Sequence, residues 1–259
     1  MSYYPILVAP DCEGFTVLHN FPPNNWEVSS RRAKYVNATT ISEGVWISKT
    51  VGLLDYMESK SFTGIDVELI EGLCLLSLTE APLPAASHEL PSLKSGTFIP
   101  NWRATLGLRQ NNTEVSYQGE VEAFPENASL LTFGPMLQHG PNIENYMLLL
   151  NVERTPVSRS GLLRMFDANN MVSPVATFEV ENNKVNVIPL DQKLFHTEQL
   201  PVIACDEMTG IPLYFSCLRD SSALSLEHTH PPVSMAIHGD RFGVQRLVKS
   251  FWFGKMNHD

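Results

Sequence analysis

The sequence predicts a mainly β protein: an antiparallel β-sandwich or jelly-roll-like double sheet with a C-terminal amphipathic helix. Three observations predict it. Apolar and polar residues alternate with period two in several short runs, pairs of these runs are separated by Asn- and Asp-rich turns, and a 3.6-period apolar stripe occurs only near the end of the chain.

In the first eighty residues, Ile65, Val67 and Leu69 alternate and 73–78 is apolar, so at least one hairpin is expected there. Residues 51–58 fit a short helix with Ser48 or Thr50 as its cap. Residues 80–100 contain Pro82, Pro84, Pro91 and Pro100, and proline cannot donate to a ladder. That stretch is expected to be a linker or a strap across the surface. It divides a smaller N-terminal β unit (1–79) from a main β-sandwich with the C-terminal helix (101–259). No internal sequence repeat is visible.

The clearest strand is 114–123. Val115, Tyr117, Val121 and Ala123 share one parity, while Glu114, Ser116, Gln118, Glu120 and Glu122 share the other. Before it, Ala104, Leu106 and Leu108 alternate with polar neighbours, and Gln110-Asn111-Asn112 supplies a turn, making a hairpin. Residues 146–152 are almost continuously apolar, as in a central strand covered on both faces. A further strand at 161–166 is closed by Asp167-Ala168-Asn169-Asn170. Ala176, Phe178 and Val180 then alternate, Asn182-Asn183 can take positive φ, and Val185 and Val187 resume the pattern. Residues 213–218 are expected to pair with 223–230.

The last element is helical. Val244, Leu247, Val248 and Phe251 fall at i, i+3, i+4 and i+7, giving one apolar face to pack on a sheet. Asp240 stands where an N-cap belongs and Gly254 where a C′ glycine belongs. No acid interrupts the cations Arg241, Arg246, Lys249 and Lys255, so an exposed basic helix for an acidic partner is the lesser reading.

Composition narrows the function classes. The 259 residues are 43% apolar and 18% charged, enough for a packed core, and the net charge is −10 with pI about 5.3. Such a surface repels phosphate backbones and anionic lipid, so neither nucleic acid nor membrane is an expected partner. The N-terminus shows no basic leader with an apolar run, and no stretch approaches the ~20 apolar residues of a membrane helix. Cys12, Cys74, Cys205 and Cys217 are widely spaced and form no CxxC, as for free buried thiols. Together these point to a soluble cytoplasmic protein. Nucleotide loops, the GxSxG elbow and HExxH do not occur.

One stretch concentrates groups able to do chemistry. On a strand, Leu224, Leu226, His228 and His230 point to one face, so two imidazoles continue an apolar stripe. His228 and His230 supply two potential metal ligands, and His238 is close enough in sequence to fold back as a third. Glu227 or Asp240 offers a carboxylate as general base or fourth ligand, for Zn or Fe. Against this, Glu227 has the opposite parity, Asp240 is placed as a cap, and Pro231-Pro232-Val233-Ser234 provides no acid. Buried, hydrogen-bonded histidines fit the same pattern. A Cys217–His228 nucleophile pair is also geometrically conceivable. The expected function is therefore a non-catalytic binding or assembly protein, for a carbohydrate or a protein partner. The alternative is a metal-dependent hydrolase or isomerase of a small polar substrate.

Overall fold

A computed structural model describes residues 2–21, 34–67, 72–92, 104–135, 137–194, 200–219, 223–228 and 241–256, and within the last stretch the side chains of 247 and 249–256. The described residues form four antiparallel sheets and one helix, the mainly β, sandwich-like class that the period-two alternation predicts. The first nine strands are β1 (Tyr4–Pro5), β2 (Glu13–His19), β3 (Tyr35–Ser42), β4 (Val45–Leu53), β5 (Ser59–Thr63), β6 (Leu75–Thr79), β7 (Ala86–Ser87), β8 (Ala104–Gln110) and β9 (Thr113–Gly119). Then follow β10 (Leu130–Phe133), β11 (Ile143–Asn151), β12 (Ser160–Asp167), β13 (Ala176–Glu181), β14 (Lys184–Pro189), β15 (Pro201–Cys205), β16 (Ile211–Leu218), β17 (Leu224–His228) and α1 (Arg241–Met256).

The sheets repeat one plan. Strand orders β5-β2-β8-β9 and β14-β11-β16-β17 are the same once β2 is matched to β11 and β9 to β17. Orders β1-β6-β3-β4 and β10-β15-β12-β13 match in the same way, with β7 as an extra edge strand in the first. The chain is thus two sandwiches of one topology in tandem. Topology requires only alternation and turn placement from the residues, so it recurs here without a visible sequence repeat. Strands on both sides of the Pro-rich 80–100 stretch, β2 and β5 before it and β8 and β9 after it, share one sheet. In that stretch β7 pairs with β4, Leu83 and Leu90 are buried, and the Tyr3 hydroxyl donates to the Pro91 carbonyl.

Local chemistry explains the turns. The β3–β4 connection is Glu43-Gly44, both at positive φ (51° and 75°), which matches the twist of a two-residue hairpin. Asn111 and Asn183 take φ of 53° and 52° in the β8–β9 and β13–β14 turns, as their short amides allow. At Gly14 a Cβ would lie 1.8 Å from the Leu7 carbonyl oxygen, so only glycine fits there.

Three expectations for the first unit are corrected. Residues 51–53 complete β4 instead of starting a helix, and no helix forms at 54–58. The proposed caps are engaged across the sheet: the Ser48 hydroxyl pairs with Thr39 at 2.9 Å and Thr50 donates to Asn37 Oδ1 at 3.0 Å. The β-branched run Val45, Ile47, Thr50 and Val51 suits a pleated ladder better than a helix turn. Ile65 and Val67 lie in a turn, with Ile65 exposed, because Asp66 Oδ2 accepts the Thr63 amide (2.7 Å) and hydroxyl (2.9 Å) and coils the chain; Leu69 lies outside the described residues. The apolar residues of β6 pair instead with β1 and β3.

Three cores set the layering. The two faces of β11 enter different ones. Leu148, Leu150 and Val152, with Leu213, Phe215 and Cys217 of β16, pack into the core of the first unit. Met147 and Leu149, with Ile188 and Tyr214, pack against Leu163, Met165, Val180 and Ile203 inside the second sandwich. Met147 to Leu150 are therefore buried without exception, which accounts for the unbroken apolar run. Each such leucine contributes roughly 2–3 kcal/mol.

The third core lies under α1, where Trp252, Phe253 and Met256 cover Phe166, Val202, Ala204 and Leu131. The helix buries a different face from the one its apolar stripe suggests: Leu247 and Phe251 point outward. It also runs through Gly254 to Met256 without ending at the glycine. Asp240 lies outside the described residues. All four cysteines are free, and Cys205 and Cys217 enter separate cores. Among the described residues no helix is long and apolar enough to cross a membrane.

Candidate functional site

β17 is an edge strand paired with β16, with His228 opposite Leu213 and Leu224 opposite Cys217. Leu224 and Leu226 pack against the core of the first unit. His228 continues this stripe and stacks on Tyr117 of β9, with ring centroids 5.3 Å apart and planes at 27°. The imidazole therefore lies where the two sandwiches meet. Glu227 is exposed, as its opposite parity requires. His230, His238 and Asp240 lie outside the described residues, so the metal set built on them has one placed member on the histidine face. Among the described residues no group of three or more His, Cys, Asp or Glu is arranged to hold an ion.

The Cys217–His228 pairing is not formed as a nucleophile and base. Cys217 opposes Leu224, four residues from His228 along β17, or about 13 Å at strand rise. Burial pushes its thiol up, and the nearby Glu144 and Asp11 carboxylates push it further. Trp46 is fully buried, Trp252 packs under α1, and Trp26 and Trp102 lie outside the described residues, so no described pair makes a sugar-stacking face.

The structure offers a site that the sequence reading missed. The segment joining β9 to β10 passes between the two sandwiches and, with the chain leaving β11, walls an open cleft of about 790 Å³. Ala123, Phe124, Pro125, Glu126, Asn127, Arg154 and Arg159 line it. Phe124 is fixed by its amide donating to the Val152 carbonyl at 2.7 Å. Arg154 is fixed at the backbone from the opposite side: its carbonyl accepts from Trp46 Nε1 (3.0 Å) and the Leu90 amide (2.7 Å). Its side chain is left 67% exposed, with Glu89 4.0 Å away.

The floor is a buried polar network. Glu153 is 1% exposed and accepts from Arg159 Nε (3.1 Å), Arg159 Nη2 and Asn182 Nδ2 (2.8 Å). Arg159 also donates through Nη2 to the Glu126 carbonyl at 2.7 Å, tying the linker to the floor. The Glu153 carboxylate holds the guanidinium pKa above its ordinary value. Asn182 Oδ1 accepts the Arg159 amide (2.7 Å), and Asn183 Oδ1 accepts the Glu153 amide (2.7 Å). Asn183 Nδ2 donates to the Thr155 carbonyl (2.8 Å), while the Thr155 hydroxyl donates to Glu126 Oε1 (2.6 Å). The two asparagines that close the β13–β14 turn thus also hold the cleft floor. Their sequence signal, read only as a turn, was joined to Glu153-Arg154 immediately after the apolar run.

The chemistry on offer is guanidinium, carboxylate, primary amide and one aromatic ring, the groups that recognise hydroxyl-rich or carboxylate-bearing ligands. A second cavity beside Tyr214 and Glu227 has room for about 20 Å³, the scale of one water molecule. Comparison of the chain with protein-family models, curated proteins and solved structures returns no match.

Proposed function

We propose that the protein is a non-catalytic binding module that seats a polar ligand, a carbohydrate or a polar segment of a protein partner, in the cleft between its two sandwiches. The observation that carries this reading is the cleft's construction. Arg154 presents exposed donors at the wall, whereas Arg159 is committed to Glu153 and the Glu126 carbonyl beneath it. A fixed base with exposed groups at the mouth is what a recognition site needs, because a wall already ordered loses little entropy on binding. Clefts between packed units are a common place for such sites.

Glycan and peptide arrays probed with wild type, Arg154→Ala and Arg154→Glu test it. Arg154 is a surface side chain, so both variants should melt like wild type. Wild type should bind a defined subset of one array, and both variants should lose about tenfold or more in affinity. Failure of wild type to bind on either array, or binding that both variants leave unchanged, overturns the proposal.

A further inference from the structure

Among the described residues, the outer face of the sheet β10-β15-β12-β13 is only half covered. At one end α1 lies over Leu131, Phe166, Val202 and Ala204 through Trp252, Phe253 and Met256. At the other end β12 and β13 place Leu162 opposite Glu179 and Ser160 opposite Glu181 on the same outer face as Phe166. Leu162 is 54% exposed there, both glutamates are exposed, and Asp206 lies beside them through its 2.5 Å bond to Arg164.

The helix has a second apolar face. Leu247 and Phe251, one turn apart, are 73% and 58% exposed and point away from the sheet that the other face covers. Lys255 lies 4.6 Å from the Phe251 ring centroid and holds a positive charge beside it. The helix carries four of the chain's 18 lysines and arginines and none of its 28 acids. An apolar pair in a basic setting and an exposed leucine in an acidic one therefore sit side by side on one face of one sheet. Within a single chain they cannot meet, because α1 is already anchored beside the patch. Across a two-fold axis they can.

We propose that two copies of this chain pair isologously through this face, each laying Leu247 and Phe251 over Leu162 of the other, with Lys255 set against Glu179, the neighbouring Glu181 being held by its own Lys184 at 2.8 Å. Isologous contact uses each patch twice, which closes the assembly at two. A helix of this length presents a face ~24 Å long and ~10 Å wide. Used twice and counted on both partners, it buries on the order of 1,000 Å², the lower bound for a stable interface. The contact uses none of the residues that line the cleft, and it stands independently of the ligand-binding proposal.

Sedimentation equilibrium of the full chain over a concentration series tests it. Wild type should approach dimer mass and lose affinity as salt rises. Phe251→Asp and Leu162→Lys, on the two halves of the contact, should each raise the dimer dissociation constant by about tenfold or more while circular dichroism stays unchanged. Lys255→Glu should weaken the dimer, and adding Glu179→Lys should restore it. Arg154→Ala, which alters the cleft, should leave the mass unchanged. A wild type that stays monomeric overturns the proposal, including one that sediments instead with phosphatidylserine-containing vesicles. So does a dimer that both Phe251→Asp and Leu162→Lys leave intact, or one that Arg154→Ala dissociates.

Discussion

Glu153→Gln removes the charge on which the cleft floor is built while keeping the side chain's shape. The buried carboxylate accepts three donors: Arg159 Nε and Asn182 Nδ2 at one oxygen, and Arg159 Nη2 at the other. Glutamine can keep its carbonyl at the first position, where it still serves two donors. Its amide nitrogen then faces Arg159 Nη2, donor against donor. Breaking a buried pair from one side costs about 3–5 kcal/mol. Arg159 is 34% exposed and its Nη2 keeps the Glu126 carbonyl, so water and that carbonyl absorb part of the loss. The expected destabilisation is therefore about 2–3 kcal/mol. Asn182 adds little to this, because its amide also reaches the Val157 carbonyl at 2.8 Å.

Urea unfolding at neutral pH would read this as a lower midpoint with an unchanged slope. In a thermal melt it corresponds to a fall of roughly 4–12 °C for a chain of this size. Arg159→Met should cost a comparable amount, and the Glu153→Leu/Arg159→Met double variant less than the sum of its single changes, because neither charge is then left unpaired. If Glu153→Gln lies within about 0.5 kcal/mol of wild type, the range of an ordinary surface change, the carboxylate does not hold the floor and the reasoning fails.

Two further outcomes are expected. The Glu144 carboxyl is held below its ordinary pKa by Arg219 and by the Tyr146 hydroxyl, so its contribution is complete above the unfolded-state value of about 4.3 and disappears as pH falls through the lower folded value. Because its partner Arg219 is 66% exposed, Glu144→Gln should be less stable than wild type by about 1 kcal/mol or less at pH 7, a gap that closes under acid; urea titrations at several pH values check it, and a gap that widens under acid contradicts the sign. His228→Ala should cost about 1 kcal/mol through loss of the Tyr117 stack, while elemental analysis of the purified protein finds the same metal content in both; metal present in wild type and absent from the variant would favour the metal-centre reading instead.

Much of the chain from β8 onward was legible because its strands announce their surroundings. The run at Met147–Leu150 is apolar on both parities since two cores compete for β11, and the wet parity of β9 shows as Glu114, Ser116 and Gln118 on its exposed side. The first unit was less readable. Ser48 and Thr50 resemble helix caps until the partners across the ladder, Thr39 and Asn37, are known, and those partners are distant in sequence only by the width of a hairpin. The stripe of α1 misled for a related reason: periodicity shows that a helix has an apolar face but not which surface meets the sheet. Here Trp252, Phe253 and Met256 meet the sheet, while Leu247 and the aromatic Phe251 face outward. The cleft left almost no sequence trace. It depends on Glu126, Asn182 and the pair Glu153 and Arg159 meeting from three separate segments, a convergence that no local spacing encodes.

The position of the cleft follows from how the repeated topology is joined. Two sandwiches in tandem need a connecting segment, and residues 120–129 must cross from β9 to β10 where the units meet. Backbone in such a crossing lies outside the extended ladders, so it pairs singly with the chain it passes, Val121 with Tyr3 and Phe124 with the segment leaving β11. Phe124 takes the Val152 carbonyl, and the Glu126 carbonyl takes Arg159, which in turn requires a buried countercharge at Glu153. The polar network is thus a structural consequence of the crossing, and the exposed Arg154 at its mouth is what the binding proposal rests on. Interfaces between units in one chain are usually polar and allow hinge motion. This one is not of that kind: Leu148, Leu150, Leu213 and Phe215 of the second unit are fully buried in the core of the first. A cleft walled by two units that cannot part has a fixed width. On the binding proposal, selectivity would then come from the fit of the ligand to Phe124, Asn127 and Arg154 as they stand, without closure around it.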